Sequence, residues 1–422
     1  MSPTFSSLRV PNYRLYFSGM LVSNTGTWMQ RVAQDWLVLQ LTHGSGTWLG
    51  FVTALQFLPL PLLAPAGGVL ADRMSKRRIL LATNTSMGVL AAILAVLTLG
   101  GVVNVWEVAV LAFGLGLATA ADNPARQSFV VEMVGPSDLS NAVALNSASF
   151  NGARLLGPAV AGLLIELFGG TGWVFTLNAI SYAAPLVALW RMRSDQLRPS
   201  ERTPRGRGQV REGLRYVLGR PDLVAVLAIA FFTGTFGMNF QITNALMATQ
   251  EFGKGAGQYG LLGSVLAAGS LAGALIAARR RTTRVRLVII AAITFGVLEM
   301  LVGLMPTYFW YALMLPPVGV ASMTTMNACN STIQLAVEPR MRGRVMSLYL
   351  AVFFGGTPIG APVVGWLAEH YGPRWSLLGG GFVTAAAAMV CALLLARRTG
   401  ALRRDRPSAP VASPAWVGAL DH

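Results

Sequence analysis

The feature that most constrains this chain is the recurrence of apolar stretches of about 20 residues or more, the length a helix needs to cross a hydrocarbon core. They fall at 17–41, 47–71, 79–100, 106–133, 139–165 and 172–192. After a polar interval they resume at 223–248, 258–278, 286–305, 308–335, 344–368 and 375–396. A backbone in lipid must satisfy its own hydrogen bonds, so stretches of this kind are helices. The expectation is an all-α integral membrane protein with twelve transmembrane helices in two six-helix bundles. Composition agrees, since 54% of residues are hydrophobic and 12% charged, more apolar length than a soluble core requires.

A net charge of +16 raises the question of nucleic acid, which the placement of the cations answers. If both termini share one side, that side holds 28 of the 33 basic residues, whereas the opposite loops hold only Lys254 and Arg374. The positive-inside rule then makes the terminal side cytoplasmic, in a multi-pass protein of the cell (inner) membrane with no nucleic-acid partner. No removable signal peptide is expected, because the N-terminus lacks a basic region, a short apolar stretch and a cleavage site in that order. Enzymatic parts are missing too: neither Lys76 nor Lys254 stands in a phosphate loop, and no G-x-S-x-G occurs. His43, His370 and His422 are too scattered for a metal site, and Cys329 with Cys391 gives no disulfide pattern. No enzyme and no bound cofactor are expected.

The polar interval at 191–221, with Pro199, Pro204, Gly206 and Gly208, is expected to be a cytoplasmic linker between bundles at 1–190 and 222–398. Its segment 210–218 is amphipathic, suited to the inner leaflet or to a solvated linker alike. The proline-bearing tail at 399–422 is expected to be disordered. The two bundles are repeats. Sliding 136–169 by 203 positions pairs Pro136 with Pro339, Gly152 with Gly355, Gly157 with Gly360, Gly162 with Gly365, Glu166 with Glu369 and Gly169 with Gly372. Shared proline and glutamate at fixed spacing argue for duplication over glycine-rich coincidence.

The corner Gly67-Gly-Val-Leu-Ala-Asp-Arg-Met-Ser-Lys-Arg-Arg ends the second stretch in a single acid followed by four cations. It resembles the loop signature G-x-L-A-D-R-x-G-R-K/R of the major facilitator superfamily, with Ser75 where that pattern has glycine. The resemblance implies the major facilitator fold and secondary transport by rocking halves, with Gly68, Asp72, Arg73, Lys76, Arg77 and Arg78 as a gating motif. Asp72 is expected to meet the amides opening helix eleven near Arg344. Asp122-Asn-Pro-Ala-Arg-Gln-Ser-Phe-Val-Val-Glu, Asn141-Ala-Val-Ala-Leu-Asn, Ala153-Arg-Leu-Leu-Gly-Pro and Asn178-Ala-Ile-Ser-Tyr are similar to the exporter branch containing the enterobactin exporter and macrolide efflux proteins.

Ionisable groups inside such helices cost at least about 2.5 kcal/mol each at the centre, so the few present are candidates for function. Arg31 and Asp35 lie four apart on the first helix and are expected to act as one electrostatic unit, with Asn24 and Trp28 on the same stripe. Asp122 and Arg126 repeat the spacing on the fourth helix, and Arg154 lies on the fifth. Each acid-arginine pair is either a proton-coupling site or a structural ion pair. Asp35 is the first candidate for proton carrier and Asp122 the second. The resemblance implies a cavity lined by helices one, four, seven and ten, which adds Trp36, Asn239, Gln241, Asn244, Asn327 and Asn330. It also makes helix nine peripheral, so Glu299 is given no coupling role. The expected function is proton-coupled export of amphipathic small molecules such as drugs or siderophores, by a monomer in the lipid bilayer, with protons as coupling ion. An uncoupled facilitator or nutrient importer is the alternative, and a membrane receptor or scaffold the remaining one.

Overall fold

The computed structural model describes residues 3–63, 74–197, 209–280 and 284–404, which form helices and no strand. Helix α1 is Pro11–Leu41, α2 Gly46–Leu63 and α3 Lys76–Leu99. The element Val105–Phe168 is broken at Gly135 (φ 72°, ψ 179°), and its parts 105–134 and 136–168 are α4 and α5. Next come α6 (Gly172–Arg191), α7 (Pro221–Glu251) and α8 (Ala256–Ala278). The last four are α9 (Val285–Gly303), α10 (Tyr308–Ala336), α11 (Pro339–Tyr371) and α12 (Pro373–Arg404). Each expected apolar stretch lies on one of these helices, apart from the end of the second, since residues 64–73 lie outside the described ones. Nine stretches among the described residues are long and apolar enough to cross a membrane, with α4 and α5 counted as one. The long helices that fall short are α1 and α10, because they carry interior polarity: Gln30, Arg31, Gln34 and Asp35 on one, and Thr324, Thr325, Asn327 and Asn330 on the other.

Local chemistry sets the boundaries. Asn104 caps α4 by accepting from the Trp106 and Glu107 amides while Glu107 reaches back to the Asn104 amide, so orphan donors at the helix start are met. Gly135 takes a positive φ and Pro136 brings no amide hydrogen, which together turn α4 into α5. Gly169 ends α5 in the left-handed region (φ 68°). The helix α7 is irregular: π-turns at Thr233–Gly237 and Met247–Glu251 flank Met238 (φ −93°, ψ 33°) and Asn239 (φ −96°, ψ 34°), which leave the helical region. Such π-turns concentrate at functional positions. The helix α12 continues through Arg404, beyond the expected end at 396 and into the stretch expected to be a disordered tail.

The first six helices pack mainly on one another, as do the last six, and the halves meet along two seams, α5 against α8 and α2 against α11. At the end away from the chain termini these seams are backbone-close. A Cβ on Gly260 would stand 2.1 Å from the Pro158 carbonyl oxygen, and one on Gly365 would stand 2.1 Å from that of Gly46. Only glycine allows this approach. Toward the terminal end, nothing among the described residues lies within 4 Å of a Cβ on Gly152 in α5 or Gly343 in α11. Among the described residues, the backbone-close contacts between the halves lie toward the distal end. A helix Gln209–Leu218 in the expected linker docks on the start of α11, where Glu212 pairs with Arg344 at 2.6 Å. Residues 198–208, with most of the linker's prolines and glycines, lie outside the described residues.

Candidate functional site

Polar side chains of the first half converge where α1, α3, α4 and α5 meet. Asp122 is 1% exposed and has three neighbours donating to it: Thr83 at 2.7 Å, Asn84 at 3.2 Å and the Arg126 Nε at 2.8 Å. Arg126 Nη2 adds a second contact at 2.5 Å. Arg126 also donates to Asn24 at 3.4 Å, and Asn24 in turn donates to Ser149 at 3.3 Å, which ties α4 to α1 and α1 to α5. With both its oxygens engaged, Asp122 sits in a network that braces four helices, α1, α3, α4 and α5.

About one turn along α1 from Asn24, Trp28 lies between two guanidinium groups: Arg31 at 4.7 Å and Arg154 at 5.7 Å from the ring centroid. Arg31 also stands 5.7 Å from the Phe57 ring, and its buried Nε has no hydrogen-bond partner. Cation-π contacts of this kind offset part of the cost of removing a guanidinium from water. Arg31 and Asp35, expected as one electrostatic unit, make no contact within 4.0 Å among the described residues but stay within coulombic reach of each other. Arg31 turns to the aromatic rings, and Asp35 turns to the other half of the molecule.

That second partner is Tyr259 of α8. Asp35 is 2% exposed and accepts the Tyr259 phenol hydrogen at 2.8 Å, while Trp36 stacks on the Tyr259 ring at 6.4 Å. The phenol oxygen also lies 3.3 Å from the Gln241 carbonyl of α7. Asn24 and Asp35 are separated by about 16 Å along the helix, at 1.5 Å per residue, so Asp35 belongs to the distal end and Asp122 lies nearer the terminal end. Above Asp35 a cavity of about 310 Å³ opens at the distal surface, lined by Trp36, Gln40, His43 and Thr249 among others.

Two further carboxylates bolt this end. Glu166, at the end of α5, accepts the Gly257 amide at 2.9 Å where α8 begins. Glu369, at the end of α11, accepts the Thr47 amide and the Ser45 hydroxyl, both at 2.8 Å, where α2 begins. These are the repeat-related glutamates. Each reaches across a seam to the positive end of a helix in the opposite half.

The remaining expected residues are spread out. Asn244 accepts from Tyr311 at 2.7 Å, and Asn239 donates to the Thr235 carbonyl at 2.7 Å, so both are engaged inside the second half. Asn330 accepts from Gln334, and Asn327 is half-buried on the same helix. In the gating motif, Gly68, Asp72 and Arg73 lie outside the described residues. Lys76 pairs with Glu132, and Arg77 donates to the Leu189 and Trp190 carbonyls at 2.7 and 2.9 Å, so these cations brace α3 against α4 and α6. Arg78 is exposed. Arg344, expected near an Asp72 clasp, pairs with Glu212 of the linker. Sequence reasoning passed over Tyr259, Thr83, Asn84 and the two latch glutamates. The repeat identity of Glu166 and Glu369 was the signal that marked the last pair.

Comparison with known proteins agrees with this architecture. The multidrug efflux pump Tap of Mycobacterium tuberculosis (strain ATCC 25618 / H37Rv) is 27% identical over 424 residues, covering 94% of this chain and 95% of that protein. Macrolide efflux protein A of Streptococcus pyogenes is 23% identical over 378 residues, covering 86% and 91%. A bacterial homologue of the human lysosomal transporter Spinster shares the fold with a TM-score of 0.71 at 16% identity, covering 97% of this chain and 100% of that one. The profile described as transmembrane secretion effector matches residues 2–417. The chain is therefore a member of the transmembrane secretion effector family within the major facilitator superfamily, a membrane transporter and not an enzyme.

Proposed function

We propose that this protein exports amphipathic small molecules from the cell in exchange for protons, acting as a monomer. The observation that carries this is the buried Asp35-Tyr259 bond, an acid of one half held by a hydroxyl of the other at the distal end. Drug export is supported by relatives named as multidrug and macrolide efflux proteins. With the basic terminal side in the cytoplasm, the end away from the close seams faces inward and serves as the substrate's entrance in this reading. A substrate entering there meets Trp28, Phe57, Arg31 and Arg154, a surface suited to an apolar body bearing an anionic or hydrogen-bond-accepting group.

The coupling follows from charge. Opening the distal end separates Asp35 from Tyr259 and brings the carboxylate toward the distal solvent. Burying a bare carboxylate again is unfavourable, so the emptied transporter recloses most readily after Asp35 has taken a proton from outside. Once the terminal end opens, that proton is released inward and the charge-assisted bond to Tyr259 re-forms. Asp35 carries the proton, and Asp122, engaged by Thr83, Asn84 and Arg126, acts as a structural brace. The test is uptake of a compound panel into everted vesicles with and without a proton gradient. Asp35→Asn is expected to abolish accumulation against a gradient while retaining binding. Equal transport with the gradient collapsed would replace this reading with an uncoupled facilitator.

A further inference from the structure

Glu299 lies on α9, the helix that the family resemblance makes peripheral, yet it is 1% exposed and its Oε2 has no hydrogen-bond partner. Its surroundings come from three other helices. The point a Gly237 Cβ would occupy on α7 is 3.1 Å from Glu299 Oε2 and 2.9 Å from the Thr384 hydroxyl of α12, which is also buried without a partner. On the other side, the corresponding point on Gly380 of α12 is 3.1 Å from Glu299 Oε1 and 2.5 Å from the Phe236 carbonyl. Two glycines thus leave a small chamber around the carboxyl, walled also by the Phe295 ring, 2.7 Å from the Gly237 point. It borders the stretch of α7 where Phe236 and Gly237 end a π-turn and Met238 and Asn239 leave helical geometry.

No cation among the described residues faces this group. From α10 the titratable side chain within electrostatic reach is Tyr311, whose phenol donates to Asn244. The groups facing it from α7 and α12 are neutral. Arg374, the basic residue opening α12, is taken up by Glu251 at 2.8 Å and by the Gly303 carbonyl at 3.1 Å. An ionised carboxylate in the chamber would be a buried charge without a counter-ion, far costlier than a buried neutral acid.

We propose that Glu299 is a proton-binding station of the second half, holding a neutral carboxylic acid in this conformation and releasing the proton when α7 rearranges at its break. The chemistry is a simple proton equilibrium: the carboxyl O–H breaks to give the carboxylate, and the proton passes to water admitted beside Gly237. The hinge makes this possible, since straightening or further bending of 237–239 moves the chamber wall itself. The station is independent of Asp35 and of the direction of transport, so its test needs no substrate.

The experiment uses full-length protein in lipid nanodiscs. Infrared difference spectra across a pH titration are expected to show a protonated-carboxyl band that is missing in Glu299→Gln. Glu299→Asp, which retains an acid, keeps a shifted band and serves if the glutamine variant is not recovered folded. In parallel, spin labels at His43→Cys and Lys254→Cys, on opposite halves of the distal end and in a background lacking Cys329 and Cys391, report the separation of the halves. In Asp35→Asn a pH-dependent shift in that distance is expected to remain, and adding Glu299→Gln is expected to remove it. Persistence of the band in Glu299→Gln, complete loss of pH response in Asp35→Asn alone, or a shift produced by sodium ions at constant pH would each overturn the station.

Discussion

Asp35 and Asp122 present the same i, i+4 acid-arginine spacing in the sequence and two different situations in the structure. Asp122 gathers Thr83, Asn84 and Arg126 about itself within one half. Removing its charge leaves the half-buried Arg126, 29% exposed, beside an amide, a loss of about 1.5 kcal/mol, below that of a fully buried broken pair. Asp122→Asn is therefore expected to lower thermal stability in detergent, and adding Arg126→Leu is expected to recover much of it, because the orphaned charge goes too. Two stabilities that simply add would contradict the brace. Asp35, by contrast, draws its hydrogen bonds from the other half, the Tyr259 hydroxyl 224 positions away and the Gln241 side chain. A hydrogen bond to a charged group is worth about 2 kcal/mol, so Tyr259→Phe is expected to favour the distally open form by roughly thirtyfold and to weaken proton coupling. The rate at which a cysteine at Gln40, on the distal cavity wall, reacts with an impermeant maleimide measures that shift.

At the scale of elements, the two seams follow one rule applied twice. In both, a glycine-bearing helix, α5 or α11, lies backbone-close on the start of a helix from the opposite half, and its terminal glutamate caps that start. This much was legible in the sequence, because duplication preserves glycines and an acid at fixed spacing, and their shared identity survives where apolar residues drift. The helices themselves were legible for the same reason that lipid is a strict solvent: length and apolarity leave little choice. The pairing of Asp35 with Tyr259 was not, since the four-residue spacing pointed to Arg31 and nothing local marks a partner in the other half. The α7 break around Met238 and Asn239 was also hidden, in a run of ordinary apolar and small polar residues with no proline. The latches make a prediction of their own. Converting Glu166 and Glu369 to glutamine removes two charges from helix N-termini, each worth about 0.3–1 kcal/mol when exposed. The double variant is expected to raise maleimide reactivity at the distal wall severalfold, and each single variant to do so by about half as much on a logarithmic scale.

For the whole molecule, the backbone-close seams at the distal end define which motion transport requires. The halves are in backbone contact at Gly46 and Gly365 and at Pro158 and Gly260, and nearer the middle of the chain's span the Pro61 side chain lies 3.6 Å from the Cβ position of Gly355. Rocking about this midpoint must break the Asp35-Tyr259 bond and both glutamate latches together before a substrate held near Trp28 reaches the distal side. Fastening the distal end should then stop transport without closing the terminal entrance. Cysteines at Ser45 and Glu369, whose present side chains meet at 2.8 Å, are close enough for a short bifunctional thiol reagent to span α2 and α11. The cross-linked protein is expected to transport nothing in liposomes while still binding a macrolide or another transported compound from the terminal side, read as a change in Trp28 fluorescence against a Trp28→Phe control. Reduction of a cleavable linker is expected to restore transport. Continued transport in the fastened protein would show that substrate takes a route other than the one between the rocking halves.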